Sequence, residues 1–309
     1  MTSNYCMALC FSIVVFTASG CRDKPSGSSA DSAAKRATAR PAITGSSVES
    51  GWDSTAGPVM VLALSRVLPE VAIVLPGLTD STLAAASRLE LAALENMPVD
   101  LFGPRGLVGS SVLRVSSQTG NSTGCVSWPV GRLIPVPPAS WRVAFEKGRA
   151  VGLSLDSLEG MSSADSARLV GNILQALGSM SSGGDPAFRG IPYFVRKGYR
   201  LTLPSSSVLI AEAVRRINEE ANPREEHLLL LAERAGDDMD YRIGFQKRSA
   251  GAEEAIETSE VLAAVRFIAS NRVALVLTFD YEDGGKVGLL ERVTTSSWRT
   301  VWKSAYTDC

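Results

Sequence analysis

Apolar positions recur at two different periods along this chain. Residues 59–67 and 71–75 are apolar runs bounded by Pro69 and Pro76, which predicts two buried strands. Thr79, Asp80 and Ser81 then offer caps for a helix reaching Glu95, with Leu83, Leu89, Leu91 and Leu94 among its apolar positions; Pro98 marks its end. From 99 to 157 the pattern is β, with strands expected at 107–116, 125–134, 141–146 and 149–155. The last two flank Lys147-Gly148, a two-residue turn of hairpin type.

Ser162 and Ser163 cap a helix over 163–178, whose Leu169, Ile173 and Leu177 lie on one face. Residues 193–203 read as a strand. Serines 205–207 precede a predicted helix with Ile210, Val214 and Ile217 on one face, and another helix is expected at 254–269 from Val261, Val265 and Ile268. Between them, 228–234 and 241–248 form a predicted hairpin. The chain ends in a meander of 273–281, 286–294 and 297–307, its first turn at Glu282-Asp283-Gly284-Gly285. The sum is an α+β fold, mostly antiparallel sheets with about four helices packed on them.

The first 56 residues follow neither period. Residues 7–16 form an apolar run too short for a membrane span, which needs about 20 residues. Small residues and a cysteine follow. Ala18-Ser19-Gly20-Cys21 resembles the lipobox of bacterial lipoproteins. That resemblance implies a signal peptide over 1–20, lipid attachment at Cys21 and an exported protein held on the extracytoplasmic side. Arg22 in place of Asp favours the outer membrane where two membranes exist. An ordinary cleaved signal is the alternative. Residues 22–56 are rich in Ser, Ala, Thr, Gly and Pro and read as a flexible tether. The folded part is then expected in two α+β lobes, 57–138 and 139–309, or in one domain containing both.

Composition adds boundaries. The hydrophobic fraction is 45% and the charged fraction 20%, ordinary for a globular core. A net charge of −1 offers nothing to nucleic acid, so none is expected as a partner. Of five cysteines, Cys6 and Cys10 leave with the signal and Cys21 takes the lipid. Cys125 and Cys309 remain, and an even pair in an exported protein suggests a disulfide.

Candidate chemistry is sparse. His227 is the single histidine, so a multi-His zinc site is excluded, and no GxSxG elbow supplies a nucleophile for a Ser-His-Asp triad. The Asp280 to Glu291 stretch fits the calcium-loop pattern poorly, with Gly284 and Lys286 at ligand positions. No metal or cofactor is expected. Trp298, Trp302 and Tyr306 share a strand face by period two and form either a core face or a ligand platform. Arg189, Arg196, Lys197 and Arg200 form a basic cluster, either a solvated strand face or an anion site. The expected function is a membrane-anchored binding or scaffolding module for an envelope protein or small ligand. The alternatives are an extracytoplasmic hydrolase using carboxylates or Ser/Lys, and a subunit of an envelope assembly.

Overall fold

The apolar runs after Val59 fold as a hairpin, and that hairpin opens a six-stranded barrel. In the computed structural model, β1 (Met60–Ala63) pairs with β2 (Glu70–Val74). β3 (Met97–Gly103), β4 (Gly106–Val115) and β5 (Val130–Ile134) form a meander, and β6 (Val143–Glu146) returns beside β3. This return is a Greek key. β2 pairs with β5 and β6 with β1, so the sheet closes in the order β1-β2-β5-β4-β3-β6. Closure leaves no free edge. Val61, Ile73, Val99, Leu101, Leu113, Leu133 and Trp141 fill the interior.

The Lys147-Gly148 turn forms, with Gly148 at φ 80°, but it does not make a hairpin. β6 stays in the barrel, while β7 (Ala150–Leu153) leaves it. β7 crosses tightly over the β3–β4 turn, where a Cβ on Gly152 would lie 2.4 Å from the Leu107 nitrogen. The barrel therefore extends past residue 138 to include β6.

Two five-stranded antiparallel sheets follow. β8 (Leu155–Ser157), β9 (Phe194–Leu203), β10 (Ser206–Ile217), β11 (Arg224–Arg234) and β12 (Arg242–Ala252) make the outer sheet. β13 (Thr258–Phe267), β14 (Val273–Tyr281), β15 (Gly284–Thr294) and β16 (Ser297–Lys303) join β7 in the inner sheet. Leu201, Val208, Ile210, Leu229 and Leu231 of the outer sheet pack on Val261, Leu275, Leu277, Phe279 and Leu290 of the inner one. The far face of the inner sheet, with Val265, Phe267, Val276 and Leu289, packs on barrel residues Met60, Val74, Phe102 and Phe145.

The structure describes residues 51–64, 69–85, 91–116, 126–180, 184–218, 223–236, 239–252, 255–281 and 283–308. Among these are sixteen strands and two α-helices, so the fold is mostly β and the expected α+β class with four helices is overturned. One predicted helix forms as expected, α2 (Ser163–Gly178; α1 is given below). Ser162 caps it by accepting from the Asp165 nitrogen, and Leu169, Ile173 and Leu177 cover Leu209, Ala211, Leu228 and Leu230 on the outer sheet. Of the helix expected over 79–95, the described residues show α1 (Asp80–Ala85) and a 3-10 turn at Ala92–Leu94, and 86–90 lie outside them.

The other two predicted helices are strands. β10 turns Val208 and Ile210 toward the inner sheet and Leu209, Ala211 and Ala213 toward α2. A strand buried on both faces reads as a continuous apolar run, and a helical spacing can be picked from it by chance. β13 behaves likewise, with Val261 and Ala264 facing the outer sheet and Ala263, Val265 and Phe267 facing the barrel. A bulge between Val261 and Ala263 further breaks its alternation. Residues before the expected tether boundary at 56 already belong to the folded part. Trp52 packs against the core, and Ala56 is fully buried in a short 3-10 turn, Ser54–Ala56.

Candidate functional site

A groove of about 1290 Å³ opens where the barrel meets the inner sheet. Its walls come from four separate stretches: the lead-in to β1, the loop after β2, the end of β6 and the end of β16. Trp52 and Trp302 meet edge to face with ring centroids 4.8 Å apart. Trp52 Nε1 donates to the Gly57 carbonyl at 2.8 Å, and Trp302 Nε1 donates to the Pro76 carbonyl at 3.3 Å. Their polar ends are thereby satisfied, and the rings join Pro58, Leu78 and Ala305 as an apolar lining.

Five charged side chains reach this groove, and four of them are paired. Arg149 Nε donates to Glu146 at 2.8 Å. Lys286 Nζ lies 3.1 Å from Asp80, which also accepts from the Tyr306 nitrogen at 2.7 Å. Lys303 has no carboxylate partner among the described residues. Its ammonium stands 4.2 Å from the Phe279 ring centroid, and Lys247 stands over the same ring at 4.0 Å. Lys247 contacts the buried Glu257, which accepts from Tyr281 OH at 2.8 Å. Burial holds Lys303 below the ordinary lysine range; its hydrogen bond with Lys247 opposes that shift and the Lys286 charge adds to it. Burial, the Lys303 ammonium and the hydrogen bond with Lys303 likewise push Lys247 down.

Behind Lys247 lies a second, small cavity of about 20 Å³, lined by Glu212, His227, Lys247, Ser249, Glu257 and Ser259 among others. That volume holds about one water and no substrate. His227 is hydrogen-bonded to Glu225 at 2.6 Å, and Ser249 Oγ accepts from the Glu257 nitrogen at 3.0 Å. Among the described residues no hydrogen bond joins Ser249 or Ser259 to His227. Glu212 Oε1 is buried without a hydrogen-bond partner. Burial pushes the Glu212 carboxyl up to about 7, although Lys197 at 3.8 Å favours its ionised form.

The residues singled out from the sequence are scattered. Trp298 and Trp302 do not share a face, because a bulge at Val301 shifts the register so that Leu289 opposes Trp302 and Leu290 opposes Thr300. Trp298 points into the sandwich and Trp302 toward the barrel. Tyr306 lies beyond β16, its OH donating to Asp283 at 2.5 Å. The expected platform is therefore not continuous. The basic cluster is dispersed as well. Arg189 and Arg196 are exposed, Lys197 lies 3.3 Å from Glu260, and Arg200 pairs with Asp156 at 2.9 Å. Cys21, Cys125 and Cys309 lie outside the described residues, as does Glu282 of the Asp280 to Glu291 stretch.

Trp52, Lys286 and Lys303 escaped the sequence reading. One signal was present for Trp52, the lone aromatic in the Ser- and Ala-rich stretch assigned to the tether. Together the elements define a mostly β protein in which a Greek-key barrel and a helix-backed sandwich enclose a ligand-sized groove. No protein family, curated protein or solved structure matches the chain.

Proposed function

We propose that this chain is an exported, lipid-anchored binding module that holds a small ligand in the groove between barrel and sandwich. One observation carries the reading: a groove of about 1290 Å³ combines an apolar, two-tryptophan lining with charged side chains. Ligand sites combine these features, an apolar cleft with a few convergent polar groups. A hydrolytic reading is less well supported. The two carboxylates of the groove, Asp80 and Glu146, are each held in an ion pair, with Lys286 and Arg149 respectively.

Export and anchoring rest on the lipobox-like segment ending at Cys21. No helix among the described residues is long and apolar enough to cross a membrane. A disulfide between Cys125 and Cys309 belongs to the same reading. Its support is that the neighbouring residues pair, Val126 N donating to Asp308 Oδ1 at 2.5 Å and Asp308 N to the Val126 carbonyl at 3.2 Å.

Each half of the proposal has its own test. Cys21→Ser should move the protein from the membrane to the soluble fraction of producing cells, and unchanged fractionation would overturn the anchor. Ser54 is exposed on the groove wall, so Ser54→Trp should fill the groove without disturbing the core. Wild-type protein should bind anilinonaphthalene sulfonate under native conditions, with the bound dye's fluorescence reduced several-fold by Ser54→Trp. Equal dye binding by both proteins would sink the groove as the ligand site.

A further inference from the structure

The geometry points to a ligand class for the groove: a neutral saccharide, one ring against Trp52 and adjacent hydroxyls on the Glu146–Arg149 pair. This rests on the groove being the ligand site. Gly57 joins the two recognition elements. Its carbonyl accepts from Trp52 Nε1 at 2.8 Å. A Cβ built on it would stand 3.4 Å from Glu146 Cβ, 3.5 Å from Glu146 Oε2 and 3.7 Å from Arg149 Cγ. The indole and the ion pair therefore flank one residue, and all four residues line the groove. Gly57 sits at φ 103°, where any other side chain would strain the backbone.

The ion pair is only half used. Arg149 Nε donates to Glu146 Oε2 at 2.8 Å, and both side chains are partly exposed. Among the described residues Glu146 Oε1 and the two Arg149 Nη groups have no hydrogen-bond partner. The result is an acceptor beside donors with no net charge. Adjacent sugar hydroxyls, each a donor and an acceptor, match that set: one donates to Glu146 Oε1 and its neighbour accepts from an Arg149 Nη. A charged head matches it less well. Arg149 is neutralised by Glu146 and Lys286 by Asp80 at 3.1 Å, so an ion would enter without a free counter-charge. The Lys303 ammonium lies away from this set, over Phe279 and against Lys247.

Trp52 supplies the apolar side. Its N–H is satisfied, so the ring asks for no hydrogen bond and offers its carbon surface to the C–H face of a sugar. A fatty chain would cover the same ring and strand the free groups of Glu146 and Arg149. Exposed Ser54, Thr79 and Ser81 add hydroxyls to the lining. At about 1290 Å³ the groove exceeds the roughly 300–1,000 Å³ of a pocket for a compact ligand, which suits an oligosaccharide.

Cellotriose, maltotriose and chitotriose are the probes, titrated calorimetrically up to millimolar concentration against wild type, Glu146→Gln and Ser54→Trp. At least one should bind the wild type. Glu146→Gln should weaken that binding roughly tenfold, the scale of one hydrogen bond to a charged group, with the fold intact by circular dichroism. Ser54→Trp should abolish it. If no trisaccharide binds, or binding is unchanged in Glu146→Gln, the saccharide assignment is overturned, while anilinonaphthalene sulfonate binding that Ser54→Trp still reduces keeps the groove as a ligand site. If dye binding also ignores Ser54→Trp, the groove reading itself falls.

Discussion

Replacing Glu233 with alanine should destabilise the protein by roughly 3–5 kcal/mol, the range for removing one partner of a buried charge network. Glu233 is 0% exposed, on β11 between the two sheets. Its Oε1 accepts from Ser206 Oγ at 2.6 Å and from Arg292 Nε and Nη2 at 2.9 and 2.7 Å. Its Oε2 accepts from the Ser296 nitrogen at 2.9 Å and from Trp298 Nε1 at 3.1 Å. Burial alone would raise its pKa, but the Arg292, Ser206, Ser296 and Trp298 donors outweigh it and hold the carboxyl below the ordinary range. Alanine strands all of these donors at once, Arg292 with its charge. It also frees the β15–β16 turn, where Ser296 sits at φ 58° and its hydroxyl donates to the Glu233 carbonyl. Glu233→Gln should cost less, since the side-chain shape and one acceptor remain. Because the folded pKa is depressed, the carboxylate's contribution is present above the unfolded value near 4.5 and fades as pH falls through the folded value. The gap between wild type and Glu233→Gln should therefore narrow in acid. Urea unfolding at neutral and acid pH measures both effects. A loss below about 1 kcal/mol for the alanine variant would reduce the network to an ordinary hydrogen bond.

Which elements could be read from the sequence follows from how many of their faces are buried. α2 buries one stripe, so Leu169, Ile173 and Leu177 announce it, and Ser162 marks its start. The C-terminal meander was legible because a Gly-rich turn, Glu282-Asp283-Gly284-Gly285, separates its first two strands; β14, β15 and β16 pair in sequence order. β10 and β13 lie between two packed layers, and burial on both faces erased the period that would have identified them. Partner choice was less legible still. The Lys147-Gly148 turn is chemically a hairpin turn, yet β6 and β7 find neighbours in different sheets, a choice made by long-range packing. A single bulged residue, Val301, turned Trp302 away from Trp298 and so undid a face that period two had assembled. The groove was beyond local pattern altogether. Its Lys286–Asp80 pair joins positions 206 residues apart, and Trp52 meets Trp302 across nearly the whole described chain.

The two polar clusters inside the sandwich differ in completeness, and that difference has consequences. Glu233 meets five donor contacts and both its oxygens are used. Glu212 is also buried on the inward face of the outer sheet, but Lys197 reaches it only at 3.8 Å and Oε1 meets no donor. A buried charge left incompletely paired opposes folding, whereas the same carboxyl in its neutral form does not.

Glu212→Gln should accordingly stabilise the protein above neutral pH. The folded carboxyl is raised to about 7 by burial, against an ordinary value of 4.5. Between those values the folded state keeps a proton that the unfolded state has released, so stability falls as pH rises through this window. The group's favourable contribution is complete below about 4.5 and lost once pH passes about 7. A shift of this size, at about 1.4 kcal/mol per pKa unit, corresponds to about 3 kcal/mol. Glutamine removes the titration, keeps the shape and leaves Lys197 its other partner, Glu260, at 3.3 Å. The difference in unfolding free energy between Glu212→Gln and wild type should thus be small at pH 4.5 and grow to about 3 kcal/mol in the variant's favour at pH 8. Urea titrations at half-unit pH steps follow it directly, because every other titrating group is common to the two proteins. A difference that stays constant with pH would mean that the Glu212 carboxyl titrates alike folded and unfolded, and that the small cavity beside it is wet enough to hold the charge.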